Sequence, residues 1–169
     1  MSSRYVIESL TKTHKRETFV CGNDQIDSYF HKSVSQDVKR NYATCFVARD
    51  IKTDQVVGFY TLSSSNVPLT EVSEQVKRKL PRYPTIPAVL IGWLARDRNF
   101  ARQGLGEALL FDAIKTVATA PIGAHAIFAD AIDDQAANFY IGFGFTPLLH
   151  RPRTLYLPVA TVINLLTVQ

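Results

Sequence analysis

Cysteine is scarce: the 169 residues include two, Cys21 and Cys45. Two cysteines cannot build a disulfide framework. Neither lies in a C-x-x-C or histidine-rich spacing that would bind a metal, so both are expected to be buried free thiols. Long apolar runs are missing too. No stretch approaches the roughly 20 residues that span a bilayer, and the opening MSSRYVIESL lacks the apolar core of a secretory signal, so the chain is expected in the cytosol with no membrane anchor. Neither sign of charge dominates. Nineteen Lys and Arg against fifteen Asp and Glu leave a net +4, which permits an RNA partner without demonstrating one. His14, His31, His125 and His150 share no spacing that suggests a metal site or a triad and receive no role. Repeats, low-complexity tracts and linkers are absent. The length is that of one domain, and residues 1–169 are read as one.

What is present alternates between strand and helix signals. RYVIESL (4–10) reads as a strand, and Asn23 is placed to cap a helix whose first turns hold Asp24 and Asp27. Ile26, Tyr29, Phe30, Val34 and Val38 recur at helical spacing, as one long helix or two broken ones. ATCFVAR (43–49) and QVVGFYTLS (55–63) form a hairpin across the turn 50–54. Val67-Pro68 opens a helical segment with Val72, Val76 and Leu80 spaced four apart, and Pro81, Pro84 and Pro87 then hold the chain extended. After a strand and helix over 89–111 come a strand at 124–130, a short helix at 133–141, and closing strands at Phe145 and 154–157. This order predicts a mixed α/β sheet with helices on both faces.

The stretch VLIGWLARDRNFARQGLGEALLF (89–111) organises the rest. An apolar strand, a polar loop and a glycine-rich helix start place unpaired N–H groups and the positive end of a helix dipole at Arg102-Gln103-Gly104-Leu105-Gly106, a site suited to a phosphate. A P-loop would need Gly-Lys-Ser/Thr, but Gly106 is followed by Glu107 and Ala108. A dinucleotide fingerprint would need a third glycine where Leu109 stands. ATP and NAD are disfavoured. A helix start with glycines for close packing fits the same residues.

Three features stand together: the apolar strand, the Gly-x-Gly helix start, and DDQAANFYIGFGF (133–145), in which a tyrosine precedes a Gly-Phe-Gly-Phe turn. This combination resembles the GNAT superfamily of acetyl-CoA-dependent N-acetyltransferases. FVCGNDQIDSYF, VVGFYTLSSSNVPL, KLPRYPTIPAVLIGWLARD, GLGEALLFDAI, GAHAIFADAID and RTLYLP extend the likeness over nearly the whole chain, toward the GNAT toxins of bacterial type II toxin–antitoxin pairs. The resemblance implies the GNAT fold and acetyl-CoA as co-substrate. The acceptor it implies is the α-amine of the amino acid on charged tRNA, whose acetylation blocks translation. It also implies neutralisation by a small ribbon-helix-helix antitoxin, and a homodimer. The pyrophosphate falls to Arg102, Gln103, Gly104, Leu105 and Gly106, the pantetheine and thioester oxygen to main-chain groups of Trp93, Leu94 and Ala95, and further cofactor contacts to Asp133 and Asn138. Two positions depart from the family pattern: Ala101 stands where Arg or Gln is usual, and Asp133 where Asn is usual.

Tyr140 is the candidate general acid, since a phenol with an ordinary pKa near 10 stays protonated at neutral pH and can donate to a departing thiolate. No general base is evident, although Asp97, Glu71 or a water chain could serve. An α-amine, with a reference pKa of about 7.7–8.0, needs a base less than a lysine does. RNA contacts are expected from the basic clusters Lys77-Arg78-Lys79 with Arg82, Arg96 with Arg98 and Arg102, and Arg151 with Arg153. Tyr83 could stack on a terminal adenine or pack in its loop. Two other readings stay open: a GNAT acting on a polyamine, small amine or protein lysine, and a non-catalytic module that binds acetyl-CoA or RNA. The apolar tail VATVINLLTV (159–168) covers either the core or an interface.

Overall fold

The computed structural model describes residues 3–167. Its seven strands are β1 (Tyr5–Ser9), β2 (Thr44–Asp50), β3 (Val56–Pro68), β4 (Thr85–Arg96), β5 (Ala126–Asp130), β6 (Thr146–Pro147) and β7 (Thr154–Pro158). They hydrogen-bond in the order β1-β2-β3-β4-β5-β7-β6. β4 and β5 run parallel, whereas β1–β2, β2–β3, β5–β7 and β6–β7 are antiparallel, so the sheet is mixed as expected. The helices are α1 (Asp24–Ser28), α2 (Val34–Lys39), α3 (Glu74–Lys77), α4 (Leu105–Thr119), α5 (Asp134–Gly142) and α6 (Val159–Thr167). Val168, the last residue of the apolar tail, lies outside the described residues.

The chain forms two compact units, Met1–Ser63 with Gly92–Ala113, and Ser64–Ile91 with Ile114–Gln169. In the first unit, Asn23 caps α1 by accepting the Ile26 N–H at 3.1 Å. The helical run from Asp24 to Lys39 is continuous but contains a π segment, Tyr29–Ser33, in which the Val34 N–H reaches back five residues to the Tyr29 carbonyl. This wider turn lies between the two alternatives read from the sequence. Phe30 faces the core, stacked on Phe59 at 4.1 Å, with Phe19 edge-on to both. All three rings are fully buried, and each contributes about 2–3 kcal/mol by leaving water. Cys45 joins this core, but Cys21 is only half-buried. The core edge is tied by Asp50, which accepts from Arg4 at 2.7 Å, from the Lys52 N–H and from the Thr53 hydroxyl. Those partners hold its carboxyl down at about 2 against its burial.

The second unit is built on Val67, Val72, Ile86, Ala88, Ala126, Phe128 and Leu148. The sequence reading is corrected here. The helix expected from Val67 is absent, because β3 continues through Pro68 and is followed by a single 3₁₀ turn, Leu69–Glu71, and the four-residue α3. Val72, Val76 and Leu80 do share an apolar face, but Ser73 caps α3 midway and Pro81 follows Leu80. β4 starts at Thr85, so Pro87 lies inside it, and its carbonyl accepts the His125 N–H at 2.8 Å. Phe145 is a buried residue just before β6 and not a strand residue.

Candidate active site

The loop after β4 is pinned from its beginning. Asp97 is buried. Its two oxygens accept the Asn99 N–H at 2.9 Å and the Val20 N–H at 3.1 Å, and its own N–H donates to Val57. Both oxygens of Asp97, one of the groups that could serve as a base, are engaged with backbone donors, and Asp97 anchors the loop. Arg102 then takes a left-handed φ of +62°, and Gly104 follows at +73°. The Ala108 N–H makes the first bond of α4, to the Gly104 carbonyl at 3.0 Å. The N–H groups of Leu105, Gly106 and Glu107 therefore have no partner inside the helix, and Gly104 has no side chain to cap them. A Cβ built on Gly104 meets nothing within 4 Å, so the start of α4 faces open space. Uncapped donors, a dipole end and an exposed guanidinium at Arg102 fit a pyrophosphate. Gln103 is exposed, but its amide oxygen accepts the hydroxyl of Tyr5, whose ring packs edge-on to Phe100. That residue steadies the loop. Tyr5 lies 98 positions from Gln103, and no sequence signal links them.

Of the three β4 residues expected to offer main-chain groups, two face β3. The Trp93 N–H donates to the Thr61 hydroxyl at 3.1 Å, and the Ala95 carbonyl lies 3.3 Å from a Cβ built on Gly58. Main-chain direction alternates along a strand, so Leu94 is the residue whose N–H and C=O point to the other edge. The Trp93 ring stacks on Tyr29 at 4.3 Å.

In the second unit, Asp133 caps α5 by accepting the Ala136 N–H at 2.8 Å. The same helix carries Asn138, exposed, and Tyr140, which is 5% exposed and set against the rings of Phe139 and Phe145. α5 ends at the Gly-Phe-Gly-Phe turn. Gly144 turns the chain at φ +95°, its N–H bonds to Ile141, and the N–H groups of Phe143 and Phe145 both return to the Tyr140 carbonyl. The side chain and backbone of Tyr140 are thus fixed. No described residue hydrogen-bonds its hydroxyl. Burial, seconded by the charge of Asp130, raises the phenol above its ordinary pKa, so it holds its proton throughout the neutral and mildly alkaline range.

The basic clusters divide. Lys77 pairs with Glu74 at 3.2 Å, Arg153 with Asp134 at 3.2 Å and Arg151 with Glu71 at 3.8 Å. Arg78, Lys79, Arg82 and Arg98 are exposed with no carboxylate partner among the described residues, and Tyr83 is 70% exposed. Glu71, the other base considered, has one oxygen buried without a hydrogen bond.

Residues 7–145 match the acetyltransferase (GNAT) family, a span that includes both the start of α4 and Tyr140. The chain belongs to this family. Its fold is the GNAT fold, and it is an acetyltransferase. It is 28% identical over 175 residues to a "probable toxin TacT" of Sinorhizobium fredii, covering 98% of this chain and 97% of that one. It is 35% identical over 130 residues to a "tRNA-acetylating toxin" of Mycobacterium tuberculosis, covering 76% of each. Among solved structures it is similar to AtaT complexed with acetyl-methionyl-tRNAfMet, at 27% identity and a TM-score of 0.89 over 96% of this chain and 99% of that one. A Tyr-to-Phe mutant of AtaT, bound to the C-terminus of the antitoxin AtaR and acetyl-CoA, matches at 26% identity and a TM-score of 0.82 over 99% and 100%. No described helix of this acetyltransferase is long and apolar enough to cross a membrane.

Proposed function

We propose that this GNAT enzyme is a toxin that transfers acetyl from acetyl-CoA to the α-amine of the amino acid on charged tRNA and so arrests translation in the cytoplasm. The observation that carries the reading is the uncapped start of α4. Leu105, Gly106 and Glu107 hold the pyrophosphate through their N–H groups, Arg102 adds a cation, and Leu94 supplies the main-chain group nearest the chemistry. Acetyl-CoA supplies the activated acetyl thioester. Tyr140 Oη holds the proton that the departing sulfur takes, and its burial keeps that proton in place. With Asp97 committed to backbone donors, the enzyme suits an acceptor that is already partly neutral near pH 7, as an α-amine is. The likenesses to a tRNA-acetylating toxin and to AtaT with acetyl-methionyl-tRNA favour an aminoacyl-tRNA over a free amine.

Both units work as one acetyltransferase domain in this reading. Arg78, Lys79, Arg82 and Arg98 carry RNA phosphate contacts. Lys77, Arg151 and Arg153 join them on exchanging a carboxylate for a phosphate. A ribbon-helix-helix antitoxin neutralises the enzyme, which acts as a homodimer. Cell-free translation with the purified protein tests the core of the proposal. Arrest should require acetyl-CoA, and mass spectrometry of the tRNA pool should show N-acetylated aminoacyl-tRNA. Arrest without acetyl-CoA, or an unmodified pool, would sink it.

A further inference from the structure

A cavity of about 460 Å³ in the first unit is lined by Leu10, Thr11, Lys12, His14, Arg16, Ser35, Gln36, Val38 and Lys39. Three of these residues are cations and none is a carboxylate. Lys12 and Lys39 are exposed and make no ion pair among the described residues. Arg16 is different because it is immobilised. Its guanidinium donates to the Phe30 carbonyl at 2.7 Å and lies over the Phe30 ring at 5.9 Å, so it is bonded to a neutral group and its charge is left uncompensated. Phe30 belongs to the π segment Tyr29–Ser33, and π turns divert carbonyls from the regular helical ladder. The helix distortion thus gives Arg16 a fixed seat.

Two of the acids near this wall are already engaged. Glu8 accepts from Arg49 at 2.7 Å and from the His14 Nε2–H at 2.8 Å, and Asp37 accepts the Tyr29 hydroxyl at 2.9 Å. His14 is locked as well, since its Nδ1 accepts the Thr11 N–H at 2.9 Å. The remaining wall offers Ser35, Gln36 and Thr11 as neutral polar groups over an apolar floor of Leu10 and Val38. A fixed guanidinium, two free ammonium groups and an apolar floor, with no carboxylate, form a receptor for an anion attached to a less polar body.

The geometry points to a phosphate-binding pocket for the RNA acceptor, in which Lys12, Arg16 and Lys39 hold one or two backbone phosphates and the floor receives the attached ribose. It rests on the aminoacyl-tRNA reading above, and it uses residues outside the basic clusters of that reading. Each phosphate contact contributes a slope of roughly 0.7–0.9 to the dependence of log affinity on log salt.

The test is a salt titration of tRNA binding for the wild type and for Lys12→Ala/Lys39→Ala, with acetyl-CoA affinity as the control. The double variant should lower the slope by about 1.5 and weaken tRNA binding by roughly tenfold at 0.1 M salt, with acetyl-CoA affinity unchanged. Lys12→Arg/Lys39→Arg should restore both. An unchanged slope in a double variant whose wild-type parent acetylates aminoacyl-tRNA would overturn the pocket and leave the function standing. A wild type that acetylates no aminoacyl-tRNA would overturn both. Loss of antitoxin binding with tRNA binding intact would assign the pocket to an acidic peptide instead, and the RNA proposal would fall.

Discussion

α4 and α5 begin in opposite ways. α5 opens on Asp133, whose carboxylate closes over the Ala136 N–H. α1 and α3 open alike, on Asn23 and Ser73. α4 opens on a glycine that has nothing to close with, and its first N–H groups are left to the solvent. A capped start has satisfied its dipole internally, whereas an open one retains the capacity to bind an anion. Under the function proposed above, the difference separates binding from chemistry. In that proposal α4 offers its exposed end, and α5, capped at its start and closed by the turn after it, carries Tyr140. One oxygen of Asp133, the residue expected to contact the cofactor, also serves as the α5 cap.

The sharpest test of that division removes the α5 hydroxyl. Tyr140→Phe should lower kcat by about 10²- to 10⁴-fold, the usual worth of a general acid, while the acetyl-CoA Kd stays within twofold. A large rise in Kd would mean that Tyr140 binds and does not only donate. In the wild type, kcat should not fall as pH passes the ordinary phenol range near 10, since a raised pKa keeps the acid form populated beyond that point. A smaller effect is expected from closing α4. Gly104→Asp, a residue that tolerates left-handed backbone, places a carboxylate over the free N–H groups and should raise the acetyl-CoA Kd by about tenfold or more. Calorimetry reads this directly, and an unchanged Kd would place the pyrophosphate elsewhere. Smallest is the converse. Asp133→Ala should cost about 1 kcal/mol of stability in denaturant titration and leave acetyl-CoA affinity alone. A loss of affinity without a loss of stability would restore the cofactor contact and break the comparison.

Much of this was legible in the sequence, for physical reasons. A strand, a glycine-rich start and an amphipathic helix are local patterns, so β4 to α4 could be read directly, as could Asn23 and the turn after Tyr140. The segment from Ser63 to Leu80 failed because two periodicities overlap there. Ser64 to Pro68 alternate more and less exposed positions as a strand does, but Ser64 to Asn66 are polar and the segment ends on a proline. Val72, Val76 and Leu80 lie four apart without belonging to one helix. The pairing of Lys77 with Glu74 is a three-residue spacing that the sequence displays. The pairings of Arg151 with Glu71 and of Arg153 with Asp134 depend on the tertiary fold and leave no local trace. The same holds for Arg16, whose value as a fixed cation depends on a carbonyl that a π turn presents.

Among the described residues, three that are not glycine adopt positive φ: Asn41, Asp54 and Arg102. The first two are types that tolerate it; arginine gains nothing from it and gives up about 1 kcal/mol relative to glycine. A laboratory selection for heat resistance should find glycine at position 102 early. The left-handed arginine is thus a local weak point in the stability of the loop that leads into α4.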